Sequence, residues 1–505
     1  MVHVTPTSFD QWRTWMAHYT LLPVVAVREA VAPRTDWRQW PGAGSVLLES
    51  VRGGRYTIVL PAVRRWVQGG LDGGALFEGN QDGSWQVRSS LAGDPLQVVQ
   101  AWHETWRAPS IASLPFVGGL VGALSYDMAR VIETLPSQAK DDLGLPVYAL
   151  AVADAVLVYD HAEKRLQAVI ALEYSPNAVG GDAYWESQYH AAVKEAEALL
   201  AWWDGPSAGA PNQSPCSVNR GDRNYPEWSM SQASFCEKMR QVQAWIASGD
   251  TYQVNLSLRR SLPAEVAPDA VYHELRQVNP SPYMGLLRHP DFALISGSPE
   301  LLVAVKPGLI EARPIAGTRP RGQDTAADAR LAGELLAHPK ERAEHLMLVD
   351  LIRNDLGRVA APGTVQVTDF MVGEAYSHVQ HIVSHVVGVW PENGRIDELL
   401  RAVFPGGTIT GAPKVRTMEI IEALEPVRRG FYTGGMGWLG ADGRVVLNIL
   451  IRTLVMAGGW VHGQAGAGIV ADSVPEQEYE ECLNKAKAAW VAWERARSLP
   501  TNPGF

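Results

Sequence analysis

Two pairs of glutamates give the first chemical signal in this chain of 505 residues. Glu341 and Glu344 stand three positions apart, and Glu478 and Glu481 repeat the spacing. On a helix that spacing sets both carboxylates on one face. Lys485 follows Glu481 by four positions and falls on the same stripe. Two helices presenting two carboxylates each could meet around a hard cation, and Mg²⁺, which takes oxygen ligands and keeps several waters, suits such a set. The competing reading is a pair of solvated acidic faces, since charged side chains are mostly exposed. The apolar run HLMLVDLI after Glu344, and Cys482 and Leu483 after Glu481, argue for burial instead.

Other single residues stand out by context. Glu300 closes SGSPE at a strand end, with Pro299 fixing its approach. A carboxyl there could be a general acid with a raised pKa, or a turn carboxylate. His378 and His381 lie in YSHVQHIVSHV, whose alternating apolar residues predict a strand or a short buried element. Arg452 stands inside the apolar segment LNILIRTLV, where a charge needs a partner or a ligand. Anion binding and a structural ion pair both remain open. The glycines of QAGAGIVADS permit close backbone approach to a ligand carboxylate, or tight packing of hairpin on helix. Two loops, FPGGTITGAPK (404–414) and RPIAGTRPRG (313–322), are punctuated by Gly and Pro. They offer Thr408, Thr410, Lys414, Thr318, Arg319 and Arg321 to an anionic ligand. The first is not a phosphate loop, because Pro413 precedes Lys414 and no GKS or GKT follows. No cysteine–histidine or serine–histidine arrangement is legible, so the chain shows no glutaminase of its own.

The elements that must position these groups follow from pattern and punctuation. Residues 45–175 read as β-rich, with short strands at Ser45–Leu48 and Tyr56–Leu60 and a buried strand run over Val147–Tyr159. Residues 183–203 read as helix, and 205–225, rich in Gly, Pro, Ser and Asn, as a linker. That divides the chain into an N-terminal region (1–204) and a catalytic region (226–497). The second region opens with a helix over 230–248 and a strand over 252–260. Phe292–Val305 and Leu309–Ile315 read as strands, and Asp328–Asn354 as a helix with an interruption at Pro339. Val445–Met456 and Trp460–Gln464 form a hairpin through Ala457-Gly458-Gly459, and a last helix starts near Pro475 with Asp472 or Ser473 as cap. Hairpins dominate over crossovers, which predicts an α+β fold with antiparallel sheets.

Composition narrows the function classes. Acidic residues outnumber basic ones, 54 to 44, and no basic stripe suggests a nucleic-acid partner. The longest early apolar run, FVGGLVGAL, is too short to span a bilayer, and the first twenty residues make a poor signal peptide. Cys216, Cys236 and Cys482 have no ligand spacing and read as free thiols in a reducing cytoplasm.

The chain resembles the chorismate-utilising enzymes, specifically component I of aminodeoxychorismate synthase and of anthranilate synthase. The resemblance rests on YQVNLSLRR, NPSPYM, SGSPELLV, RPIAGTRPRG, EHLMLVDLIRNDLGRV, FPGGTITGAPKVRTMEIIEALEP and AGAGIVADSVPEQEYEE. It implies a sandwich-like α/β body of two packed antiparallel sheets with surrounding helices. It implies that Glu344 and Glu481 bind Mg²⁺ directly and that Glu341 and Glu478 hold its waters. Tyr432, Arg452, Lys485 and the backbone around Gly466, Ala467 and Gly468 would hold the substrate. Thr408 would face it, Glu300 would help the C4 hydroxyl leave, and His381 would be the active-site histidine. Leu48, Glu49 and Ser50, with Pro282, Tyr283 and Met284, are similar to the family's tryptophan pocket. The resemblance also implies chorismate and ammonia as substrates and a separate glutamine amidotransferase as partner. Ala316 stands where aminodeoxychorismate synthases commonly carry a lysine, as in anthranilate synthases. Asn255, Gly406-Gly407, Ile409-Thr410 and Asn448 resemble the aminodeoxychorismate side. The expectation is 4-amino-4-deoxychorismate formation, with anthranilate formation as the alternative. An inactive scaffold paralogue is disfavoured by the complete set of site residues.

Overall fold

The computed structural model describes residues 7–29, 32–36, 44–80, 83–175, 181–204, 225–375 and 379–498. Two large antiparallel sheets, of 11 and 12 strands among these residues, lie face to face with helices around them. This is the expected α+β sandwich. Side chains alternate across the first sheet: Leu21 and Val25 face the second sheet, while Leu22 and Val24 face a helical layer. That layer includes helices Phe9–Met16, Gly181–Asp204, Pro268–Val278 and Pro475–Ser498. Because both faces are covered, many strands read as unbroken apolar runs rather than as alternating ones.

The regions before and after the linker share both sheets. Strand Ser45–Glu49 pairs with Tyr283–Arg288, and Gly119–Leu124 pairs with Gly435–Gly440. Residues 205–224 of the linker, Cys216 and His378 lie outside the described residues.

Three segments read as single strands from sequence are each two strands that change sheet. Val147–Tyr159 divides into Tyr148–Val152 in the second sheet and Ala155–Asp160 in the first. Phe292–Val305 divides into Phe292–Ser298 and Leu301–Lys306, with Pro299 and Glu300 at the crossing. Val445–Met456 divides into Val445–Ile449 and Thr453–Ala457, with Arg452 at the crossing. Arg452 therefore stands between strands, at φ +50°, and not inside one. Periodicity could not reveal the breaks, since the flanks are buried on both sides of each bend. Likewise, 309–315 ends as strand Leu309–Ala312, and the next strand, Ile315–Pro320, starts after Pro314.

The helical expectations hold with small shifts. The interruption at Pro339 separates helices Thr325–Ala337 and Pro339–Gly357, with Pro339 in the first turn of the second. The last helix spans Pro475–Ser498. Among the described residues, no helix is long and apolar enough to cross a membrane.

Candidate active site

The two crossings at Glu300 and Arg452 run side by side. The Ile449 N–H donates to the Glu300 carbonyl at 3.0 Å, and the Gly297 N–H donates to the Arg452 carbonyl at 3.1 Å. The Ser298 hydroxyl donates to the Ile449 carbonyl at 2.5 Å. The Thr433 N–H donates to the Leu450 carbonyl at 2.8 Å, which brings Tyr432 alongside. Two bends that run together thus place an acid, a cation and a phenol on one cleft wall. They open on a cleft of about 980 Å³.

Glu300 is 7% exposed. Burial pushes its carboxyl up to about 7, against the opposing pull of Thr408, Lys485 and Arg452. The Thr408 Oγ is buried without a partner of hydrogen-bonding geometry, yet lies near enough to Glu300 to favour its ionised form. Arg452 makes no salt bridge among the described residues. Its guanidinium donates to Asn279 Oδ1 at 3.0 Å, and burial lowers its pKa while Glu300 opposes that. The ion-pair reading of Arg452 is thereby removed. Tyr432 is buried, which raises its phenol pKa, and the Arg429 guanidinium sits 5.5 Å from its ring centroid.

Helices Pro339–Gly357 and Pro475–Ser498 bring Glu341, Glu344, Glu478 and Glu481 to the same cleft. Burial raises the Glu344 pKa, Glu341 and Glu481 add repulsion, and Gln253 and Lys485 oppose it. Burial also raises Glu478, with Glu481 adding to it and Ser473 opposing. Carboxylates from both helices therefore share one field. Each has a partner within the chain. Arg319 lies 3.2 Å from Glu341, Lys485 lies 2.7 Å from Glu481, and Gln253 donates to Glu344 at 2.8 Å. The Ser473 hydroxyl donates to Glu478 at 2.6 Å. Among the described residues, no three acidic or metal-ligating groups stand close enough to form a ready-made metal cluster. The donor set is all oxygen and mutually repelling, which fits a hard cation.

Gly466 and Gly468 line the cleft, but Ala467 does not: its side chain turns to the apolar cluster behind the sheet. A Cβ at Gly466 would fall 2.4 Å from Asn255 Oδ1, and one at Gly468 would fall 2.5 Å from Gln253 Nε2. These glycines leave room for two amide side chains of strand Gln253–Pro263. Lys485 donates to the Gly466 carbonyl at 3.2 Å. His381, in strand Val379–Gly388, joins the wall through a 3.0 Å bond between Nδ1 and the Gly317 carbonyl, and burial holds its pKa down. Ala316 also lines the cleft.

Of the other loop residues singled out from sequence, Arg319 reaches the cleft, whereas Arg321, Thr410 and Lys414 brace the fold. Lys414 pairs with Asp355 at 2.7 Å, Arg321 pairs with Asp328 at 2.5 Å, and the Thr410 hydroxyl donates to the Gly406 carbonyl at 3.0 Å. The Thr318 side chain is outside the described residues. Sequence reasoning missed Gln253, Lys340 and Gln464 as lining residues. Polar residues in the alternating pattern of YQVNLS were the one available signal.

The segments likened to a tryptophan pocket pair directly, Met284 opposite Glu49. Glu49 is buried and takes Arg276 at 2.6 Å and the Tyr272 hydroxyl at 3.0 Å. A second cavity, of about 510 Å³, is lined by Pro282 and Tyr283 with Arg52, Arg313 and Glu374. Leu48, Glu49, Ser50 and Met284 do not line it.

A buried acid whose pKa is pushed up to about 7 thus stands beside an arginine that makes no salt bridge among the described residues, a pair that can hold an anion and give it a proton. Residues 75–490 match the model of the chorismate binding enzymes. The chain is 46% identical over 456 residues to aminodeoxychorismate synthase component 1 of Bacillus subtilis, covering 89% of this chain and 91% of that protein. It is 44% identical over 465 residues to anthranilate synthase component 1 of Thermus thermophilus, covering 90% and 93%. Among solved structures, anthranilate synthase component I from Streptococcus pneumoniae superposes with a TM-score of 0.72 at 32% identity, covering 86% of this chain and 92% of that one. This chain belongs to the chorismate-binding enzyme family.

Proposed function

We propose that this chain aminates chorismate at C4 to give 4-amino-4-deoxychorismate, using ammonia from a separate glutamine amidotransferase subunit. The observation that carries the reading is Glu300, a buried acid with a pKa of about 7 in a cleft that also holds Arg452 and Thr408. The C4–O bond breaks only if the departing hydroxyl gains a proton, and Glu300 supplies it, so that water leaves. Ammonia forms the C4–N bond and returns its surplus proton to the carboxylate. Arg452 takes the enolpyruvyl carboxylate, while Tyr432, Lys485 and the Gly466–Gly468 backbone position the ring. His381, kept neutral by burial, closes the wall without adding charge.

Glu344 and Glu481 would hold Mg²⁺ directly, and Glu341 and Glu478 would hold its waters. Bound there, the ion supplies positive charge to the ring carboxylate and draws electron density from the ring. Burial raises Glu344 most, and the repulsion that Glu341 and Glu481 add is what such a charge would relieve.

Asn255, Gly406-Gly407, Ile409-Thr410 and Asn448 support attack at C4, as does the similarity to the Bacillus subtilis protein. One observation favours a second reading, anthranilate synthesis with attack at C2 and loss of pyruvate. Ala316 lines the cleft and offers no amine for a covalent step. Products decide between them. Purified protein with chorismate, Mg²⁺ and ammonium is followed by chromatography, with and without aminodeoxychorismate lyase. Lyase-dependent 4-aminobenzoate, the precursor for folate, is the expected result. Anthranilate formed without lyase would overturn the assignment to C4.

A further inference from the structure

Among the described residues, two buried side-chain oxygens lining the cleft have no hydrogen-bond partner, Thr408 Oγ and Asn255 Oδ1. Thr408 lies beside Glu300, where the substrate hydroxyl must come. Asn255 has no such explanation. It is 9% exposed, and its amide oxygen is a pure acceptor. Chorismate carries two carboxylates and a single donor, the C4 hydroxyl. A buried orphan acceptor costs free energy and repels a carboxylate, so this atom suits a ligand that brings N–H groups.

The backbone that carries this side chain is fixed on both sides. The Asn255 N–H donates to the Thr410 carbonyl at 2.8 Å, and the Asn255 carbonyl accepts from the Arg429 guanidinium at 2.7 Å. The amide oxygen itself takes the space beside Gly466, since a Cβ there would fall 2.4 Å from it.

We infer that Asn255 Oδ1, an unpartnered acceptor on the wall of the cleft, is its ammonia subsite. One N–H of ammonia is accepted there, which leaves the nitrogen lone pair free to point at the ring. Asn255 is a positioning residue for the nucleophile and carries no proton in the reaction. The inference rests on the reading of the cleft as an ammonia-dependent chorismate enzyme.

Steady-state kinetics of the full chain with Mg²⁺, with chorismate and ammonium chloride varied in turn, test it. Asn255→Leu keeps the size and removes the acceptor. The expected result is a KM for free ammonia raised about tenfold, the usual worth of one hydrogen bond, with the KM for chorismate within about twofold. Gly466→Ala, whose Cβ would push the Asn255 oxygen out of place, should shift the same constant the same way. An unchanged KM for ammonia in Asn255→Leu overturns the subsite, as does a KM for chorismate that rises in parallel. Wild-type protein that forms no aminated product would instead overturn the proposed function. Amination at C2 rather than C4 leaves the subsite test intact, because the same constant is read.

Discussion

Burial pushes the Glu300 pKa up, Thr408, Lys485 and Arg452 pull against it, and the balance lies at about 7. The acid acts in its protonated form, so kcat/KM for chorismate, measured at constant free ammonia, should fall as pH rises through about 7. Thr408 favours the ionised form. Replacing it by valine removes that support, raises the Glu300 pKa and moves the falling limb to higher pH. A limb that moves to lower pH would contradict the placement of Thr408. Arg452 provides the second test at this scale. Arg452→Gln should raise the KM for chorismate at least about tenfold, since hydrogen bonds to charged groups are worth about 1.5–3 kcal/mol. An unchanged KM would remove Arg452 from the substrate site. The glutamates, Glu300 and Arg452 were legible in the sequence because a charge in an apolar setting is chemically conspicuous. Asn255 was legible only as a branch marker, because an uncharged amide in a strand has no such contrast. Its orphan oxygen is a property of the packed cleft.

At the scale of elements, the account depends on strands that change sheet and on two helices that face one another with like charge. Arg452 occupies the left-handed region at φ +50°, which for a side-chain-bearing residue costs on the order of 1 kcal/mol or more. Glycine relieves that strain and removes a half-buried cation. Arg452→Gly should therefore lose turnover while its urea midpoint does not drop below that of wild type; a clear drop would show that the guanidinium braces the fold. The helices make a separate prediction. Glu344→Gln with Glu481→Gln removes part of the repulsion around Glu344. The double variant should melt no lower than wild type without metal, lose the rise in Tm that Mg²⁺ gives wild type, and be inactive. Full Mg²⁺-dependent activity in it would end the metal assignment. Helices were readable from caps, prolines and spacing. The sheet changes were not, because a bend between two buried strands leaves the apolar run unbroken. Only Pro299, Asp154 and Arg452 hinted at the breaks.

Over the whole molecule, the cleft sits where strands from both ends of the chain are woven together. The first sheet places Ser45–Glu49 against Tyr283–Arg288, and the second places Gly119–Leu124 against Gly435–Gly440. Residues 226–505 expressed alone would leave both C-terminal strands with an unpaired edge and an open apolar face. That fragment should fail to unfold cooperatively; a cooperative, active fragment would show that the sheets do not depend on their N-terminal strands. Sequence division at the linker captured a break in the chain's composition, whereas sheet membership is set by long-range pairing that no local pattern records. The claim that joins all three scales is that the paired crossings hold Glu300 as the proton donor for the departing C4 hydroxyl. It is tested most directly by the pH dependence of chorismate amination in wild type and in Glu300→Gln, at constant free ammonia. The account predicts a limb near pH 7 in wild type, and in the variant a loss of that limb with a rate lower by about 10²–10⁴, the usual contribution of a general acid. A Glu300→Gln enzyme that retains the wild-type rate and the same limb would contradict it.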